Sequence, residues 1–218
     1  MEIDRPRAGA MPALWKDGWL ARARPVASPN FDARPHGVDI ELLVIHNISL
    51  PPGKFGGDSI ERLFTNTLEH SSHPFFAGLT DLRVSAHFLV RRDGSLLQFV
   101  SCDQRAWHAG ASYWRGRTGC NDFSIGIEIE GTDDRPFTGV QYARASRLMR
   151  RVVAAYPTIS GIAGHSEIAP GRKTDPGPHF DWERFLDNGP QDEFARAMRG
   201  RERGHDRRKP LAQVKKLY

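Results

Sequence analysis

The sequence predicts an α/β (α+β) domain, a central mixed β-sheet flanked by helices. Three observations carry that expectation. Short apolar runs of strand length, Ile40 to His46 and Phe123 to Glu130, alternate with stretches of helical periodicity. Two more runs, Val84 to Val90 and Leu96 to Val100, flank Arg91-Arg92-Asp93-Gly94-Ser95, and Asp-Gly between such runs marks a hairpin. A stripe of Ala145, Leu148, Met149, Val152, Val153 and Tyr156 recurs at three- and four-residue steps, as a helix packed on a sheet requires.

Taken in order, residues 1–37 carry Pro6, Pro12, Pro25, Pro29 and Pro35 and read as an extended N-terminal arm, with one short helix around Ala13 to Arg24. Residues 38–198 form the single domain; 39% hydrophobic residues in 218 suffice for one sizeable core. Ile40 to His46 suits a buried strand, and Asn47 to Gly53 must turn after it. Asp58 or Ser59 can cap a helix over Ile60 to Asn66, with Ile60, Leu63 and Phe64 on its inner side. His70 and His73 fall in a segment that Pro74 breaks, which makes them surface-loop histidines rather than a metal pair. In Phe123 to Glu130, Ile125, Ile127 and Ile129 face one way. Ser124, Gly126, Glu128 and Glu130 face the other, where the glycine leaves room for another group to approach.

Thr138-Gly139-Val140-Gln141 fits a capping box, and the helix that follows ends before Pro157 with Arg144, Arg147, Arg150 and Arg151 on its wet side. Ile159 to Gly164 is a weak strand, Asp181 caps a last helix bearing Trp182, Phe185 and Leu186, and Phe194 and Met198 extend helical packing. From Arg199 onward there are eight Lys/Arg against two acids, so residues 199–218 read as a solvated, disordered basic tail. The rest of the chain has 23 basic and 24 acidic residues, so the net charge of +5 does not mark a nucleic-acid partner. No apolar run approaches the roughly 20 residues of a membrane span. Met1 to Ala23 lacks the apolar core of a secretory signal, and two cysteines, Cys102 and Cys120, make no disulfide framework. A reducing cytoplasm is the simpler expectation.

The segment from Gly164 to Pro178 holds His165, Lys173 and Asp175 among prolines and glycines that exclude a helix and stiffen a loop. His46 ends its strand where open α/β sheets place ligands. Two imidazoles and a carboxylate from His46, His165 and Asp175 would suit one zinc ion with a position left for water. Amide hydrolysis also needs a proton acceptor and a positive charge near the developing oxyanion. Glu128 suits the first and Lys173 the second. The spacing alone leaves open a strand-capping role for His46, a solvated strand residue at Glu128 and a surface ion pair at Lys173.

Val44-Ile45-His46-Asn47-Ile48-Ser49-Leu50-Pro51-Pro52-Gly53, Arg83-Val84-Ser85-Ala86-His87, Arg105-Ala106-Trp107-His108-Ala109-Gly110, Cys120-Asn121-Asp122-Phe123-Ser124-Ile125-Gly126-Ile127-Glu128 and Lys173-Thr174-Asp175-Pro176-Gly177-Pro178 resemble the zinc N-acetylmuramoyl-L-alanine amidases. The likeness is greatest to the branch that handles anhydro-muropeptides in cytoplasmic cell-wall recycling, and it runs from about Gly18 to Phe185. It implies the fold shared with peptidoglycan-recognition proteins and phage T7-type amidases. It implies one zinc ion on His46, His165 and Asp175, with Glu128 as catalytic glutamate and Lys173 supporting the transition state. The implied substrate is a small muropeptide, cut between the lactyl group of 1,6-anhydro-N-acetylmuramic acid and L-alanine.

An acidic stem peptide calls for arginines, and Arg83 and then Arg117 are the candidates. Asn47 and Trp107 are expected contacts to peptide and sugar, with core packing an equal alternative for Trp107. The chain departs from the family at Gly119, where an arginine often stands, and at Phe75, where tyrosine is frequent. Two other readings stay open: an exported or phage-type amidase of polymeric wall, and a module that binds wall fragments without cutting them. The oligomeric state is left open.

Overall fold

The computed structural model describes residues 14–187. Phe194, Met198, the basic tail and the first thirteen residues lie outside the described residues. Six strands form the main sheet: β1 (Arg24–Pro25), β2 (Leu42–Ile48), β3 (Phe88–Val90), β4 (Leu96–Gln98), β5 (Ser124–Glu130) and β6 (Gly161–Gly164). Their order across the sheet is β6-β2-β5-β3-β4-β1. Only β3 and β4 pair antiparallel, so the sheet is mixed, as the hairpin signal predicts.

Leu43, Ile45, Ile125, Ile127 and Ile129 form one buried face. Against it pack α2 (Gly139–Ala155), through Tyr142, Ala145, Leu148, Met149 and Val152, and the short α3 (Trp182–Asp187), through Phe185 and Leu186; α1 (Ser59–Phe64) belongs to a second cluster with Leu89, Leu97 and Phe99. Each fully buried Val, Leu, Ile, Phe or Met among them is worth roughly 1.5–3 kcal/mol, which makes these faces the main support of the sheet. The capping box at α2 forms as expected: Gln141 N–H donates to Thr138 Oγ1 at 3.2 Å, and Thr138 N–H donates to Gln141 Oε1 at 3.0 Å. Asp181 caps α3 through the N–H of Arg184.

The expected helix around Ala13 to Arg24 is not there. Trp15–Lys16 and Trp19–Leu20 pair antiparallel, turned by Asp17 and Gly18 at φ 50° and 73°. Asp-Gly with positive φ at both central residues is the tight hairpin turn, and it outweighs helical spacing. Leu20 and Ala23 are buried in the core, and Pro25 joins the sheet on its edge strand, where a missing N–H costs least.

The second face of the sheet differs from a solvated one. Ser124, Glu128 and Glu130 are all buried. Glu130 is held by Arg91, by the N–H of Gly56 and by the N–H of Arg92. Arg91 also pairs with Glu61 of α1 and donates to Gly57 O. This buried network fixes the loop that leaves β2 against the end of β5.

Candidate metal centre

The site lies at the carboxyl ends of three neighbouring parallel strands. Glu128 of β5 pairs with His46 of β2, and Ile45 pairs with Gly164, the last residue of β6. Paired residues share a face, so Glu128 and His46 point to the same side with their backbones about 4.8 Å apart. His165 opens the single-turn helix His165–Ile168 immediately after β6. The chain then loops back, as a shared site demands: Ser166 N–H donates to Asp175 O at 2.9 Å. A Cβ on Gly164 would stand 2.8 Å from the Pro176 ring, so glycine permits this close return.

His46 Nδ1 and His165 Nδ1 are 3.0 Å apart, and each is 3.1 Å from Asp175 Oδ2. Ligands about 2.0–2.1 Å from one ion at tetrahedral angles stand roughly 3.3 Å from one another. The three side chains therefore converge as ligands of a single small cation do, and they fit zinc by donor type as well. Both imidazoles are buried. Burial, the largest influence, pushes His46 down to about 4, which keeps it neutral and able to donate a lone pair at pH 7. Burial would raise Asp175, but hydrogen bonding with His165 and His46 outweighs it and holds the carboxyl below the usual range.

Glu128 is 9% exposed, and its Oε2 has no partner among the described residues. Burial above all, and then Asp175, raise its pKa well above the ordinary carboxylate value; Lys173 acts in the other direction. Lys173 is exposed, and its charge bears on both His46 and Glu128.

The remaining expected residues are placed as follows. Asn47 Nδ2 donates to Asp133 Oδ1 at 2.6 Å. Trp107 is partly buried, and its backbone N–H donates to Ser85 Oγ at 3.0 Å. Arg83 is exposed and donates to Thr80 O and Leu82 O. Arg117 is not brought to the cluster: it pairs with Glu41 and stacks 4.0 Å above the Phe123 ring. Glu41 precedes His46 by five residues of extended chain, about 16 Å at strand rise. His70 and His73 are used locally, against Phe76 O and the N–H of Phe75. Gly119 has φ 70°, a conformation glycine adopts without strain, and Phe75 is 45% exposed.

Sequence reasoning passed over His108. Its ring lies on Gly126, where a Cβ would stand 2.5 Å from His108 Cγ, and its Nδ1 is 2.9 Å from His46 Nε2. The signal was there in part, since a glycine on the polar face of β5 leaves room for a ring.

A metal-binding hydrolase centre, with two histidines, one carboxylate and a buried glutamate on a mixed sheet, is the class that fold and geometry define. The chain belongs to the N-acetylmuramoyl-L-alanine amidase family, whose description matches residues 36–178. It is 56% identical over 173 residues to the 1,6-anhydro-N-acetylmuramyl-L-alanine amidase AmpD of Citrobacter freundii, covering 79% of this chain and 92% of that one. A crystal structure of an AmpD selenomethionine derivative superimposes with a TM-score of 0.79 at 54% identity, over 81% of this chain and 99% of that one. A more distant structure, at TM-score 0.51 and 31% identity, covers 72% of this chain and 60% of the other. That one is the amidase AmiD from E. coli in complex with anhydro-N-acetylmuramic acid-L-Ala-D-γ-Glu-L-Lys.

Proposed function

We propose that this chain is a zinc amidase that hydrolyses the bond between the lactyl group of 1,6-anhydro-N-acetylmuramic acid and the L-alanine of the stem peptide, in peptidoglycan recycling. The observation that carries the reading is the convergence of His46, His165 and Asp175 beside a buried, unpartnered Glu128 carboxylate oxygen, in a chain so similar to AmpD. His46, His165 and Asp175 would hold the zinc ion, which would supply a polarising charge for the scissile carbonyl and lower the pKa of a water. Glu128 takes the proton of the attacking water and returns it to the departing α-amino group of L-alanine. Its raised pKa suits both halves of that transfer. Lys173 places positive charge where the carbonyl oxygen becomes negative. Exposed Arg83 is suited to a stem-peptide carboxylate, and Asn47 and Trp107 to the peptide and sugar.

No helix among the described residues is long and apolar enough to cross a membrane. The reading calls for a cytoplasmic enzyme, and the two buried free thiols Cys102 and Cys120 accord with a reducing compartment. The test incubates purified protein with anhydro-muropeptide and with intact sacculi, with and without chelator, and weighs the products. Anhydro-N-acetylmuramic acid and free stem peptide from the soluble substrate, lost on chelation, are expected. Release from sacculi alone would move the substrate to polymeric wall, and binding without cleavage would make the chain a recognition module.

A further inference from the structure

Both metal-facing imidazoles present Nδ1, and both turn Nε2 toward one dipeptide. His46 Nε2 meets the ring of His108, and His165 Nε2 lies 3.1 Å from the carbonyl of Ala109. The dipeptide is itself gripped at one point: Asn121 Oδ1 accepts the N–H of His108 at 3.1 Å and of Ala109 at 2.8 Å. Arg172 Nη2 also donates to Ala109 O, at 2.7 Å.

The hydrogen positions follow from the donors and acceptors. A carbonyl only accepts, so His165 Nε2 carries hydrogen. Its Nδ1, which without an ion faces Asp175 Oδ2 at 3.1 Å, would then give its lone pair to a bound metal. Ser124 spends its one hydroxyl hydrogen on Cys120 O, so it accepts from His108 Nε2, 3.1 Å away. His108 is buried among His46, His87 and Gly126, and an imidazole with one hydrogen, spent at Nε2 on Ser124, has none on Nδ1, which accepts. His46 Nε2 must donate to it, which would leave His46 Nδ1 to a bound metal as well. The chain of bonds thus runs His46 to His108 to Ser124 to Cys120, with one direction throughout.

We infer that the His108–Ala109 dipeptide, pinned by Asn121, is a single positioning device that fixes both histidine ligands in the tautomer presenting Nδ1 to the metal. The inference rests on the metal-binding reading above. Partners of this kind typically govern metal affinity by about 10–100-fold.

The test measures zinc affinity by competition with a chelator on the native chain, His108→Phe and His108→Gln. Phenylalanine fills the space but cannot accept from His46; glutamine has an amide oxygen that can. His108→Phe should weaken zinc binding by about 10–100-fold, and His108→Gln should recover most of that loss. Equal affinity of His108→Phe and the native chain, or equal losses in both variants, would overturn the inference. Nitrogen-15 NMR of the zinc-loaded native chain gives an answer that needs no variant. Hydrogen on Nε2 of His46 and His165 is expected, and hydrogen on Nδ1 of either would end the proposal. A native chain that binds no zinc would instead refute the metal reading.

Discussion

Glu128 is a carboxyl group in a place that opposes its charge. Its folded pKa is raised, so its contribution to stability is fully present below the unfolded value and is lost as pH rises through the folded one. Glu128→Gln should therefore raise the Tm of the metal-free protein at neutral pH and above. The gain should shrink as pH falls toward 4.5, and a thermal-melt series across pH checks it. The same variant should retain zinc yet lose at least about a hundredfold in turnover, the low end of general acid–base contributions. His46 and His87 shift the other way, burial being the first cause, to about 4 and about 3 from 6.5. Between those values and 6.5 the unfolded chain binds more protons than the folded one. Metal-free protein should lose stability steadily as pH drops below 6.5, measured by urea midpoints at a series of pH values. Asp175→Ala should strip the metal along with activity, since it removes one of three converging donors; metal analysis of the purified variant tests this.

At the scale of elements, β5 explains what the sequence could and could not disclose. Its isoleucine alternation made one face legible as core. The opposite face looked wet because Ser124, Glu128 and Glu130 are polar, yet all three are buried. The partners of Glu130, Arg91 and the backbone of residues 56 and 92, are 38 or more positions away and leave no local pattern. Asp17-Gly18 carried the same turn chemistry as Asp93-Gly94, but the runs beside it are two residues long, too short for alternation to register. Arg117 was drawn toward the site by motif proximity, whereas Glu41 and Phe123 hold it near the other end of β2. Gly126 offers a test of how tightly this face is built. Gly126→Ala would press a methyl into the His108 ring, costing about 1–3 kcal/mol by overpacking. Its denaturant midpoint and its zinc content should both fall.

For the molecule as a whole, the order of strands and helices was readable because each long element repeats its own period. The metal site was not readable from spacing, because His46 and His165 are 119 positions apart; motif resemblance, not geometry, pointed to it. All five residues of the proposed centre lie within the described residues. Ending the chain after Arg199 should accordingly leave hydrolysis of a soluble fragment unchanged, as product mass and rate would show. The register that sets Glu128 beside His46 and Gly164 beside Ile45 has a further consequence for biosynthesis. Asp175 leaves the ribosome after every strand of the sheet has been made. A nascent polypeptide halted before that point has every strand but lacks one of the three donors as well as α3, so tight metal loading waits for the loop that follows the sheet.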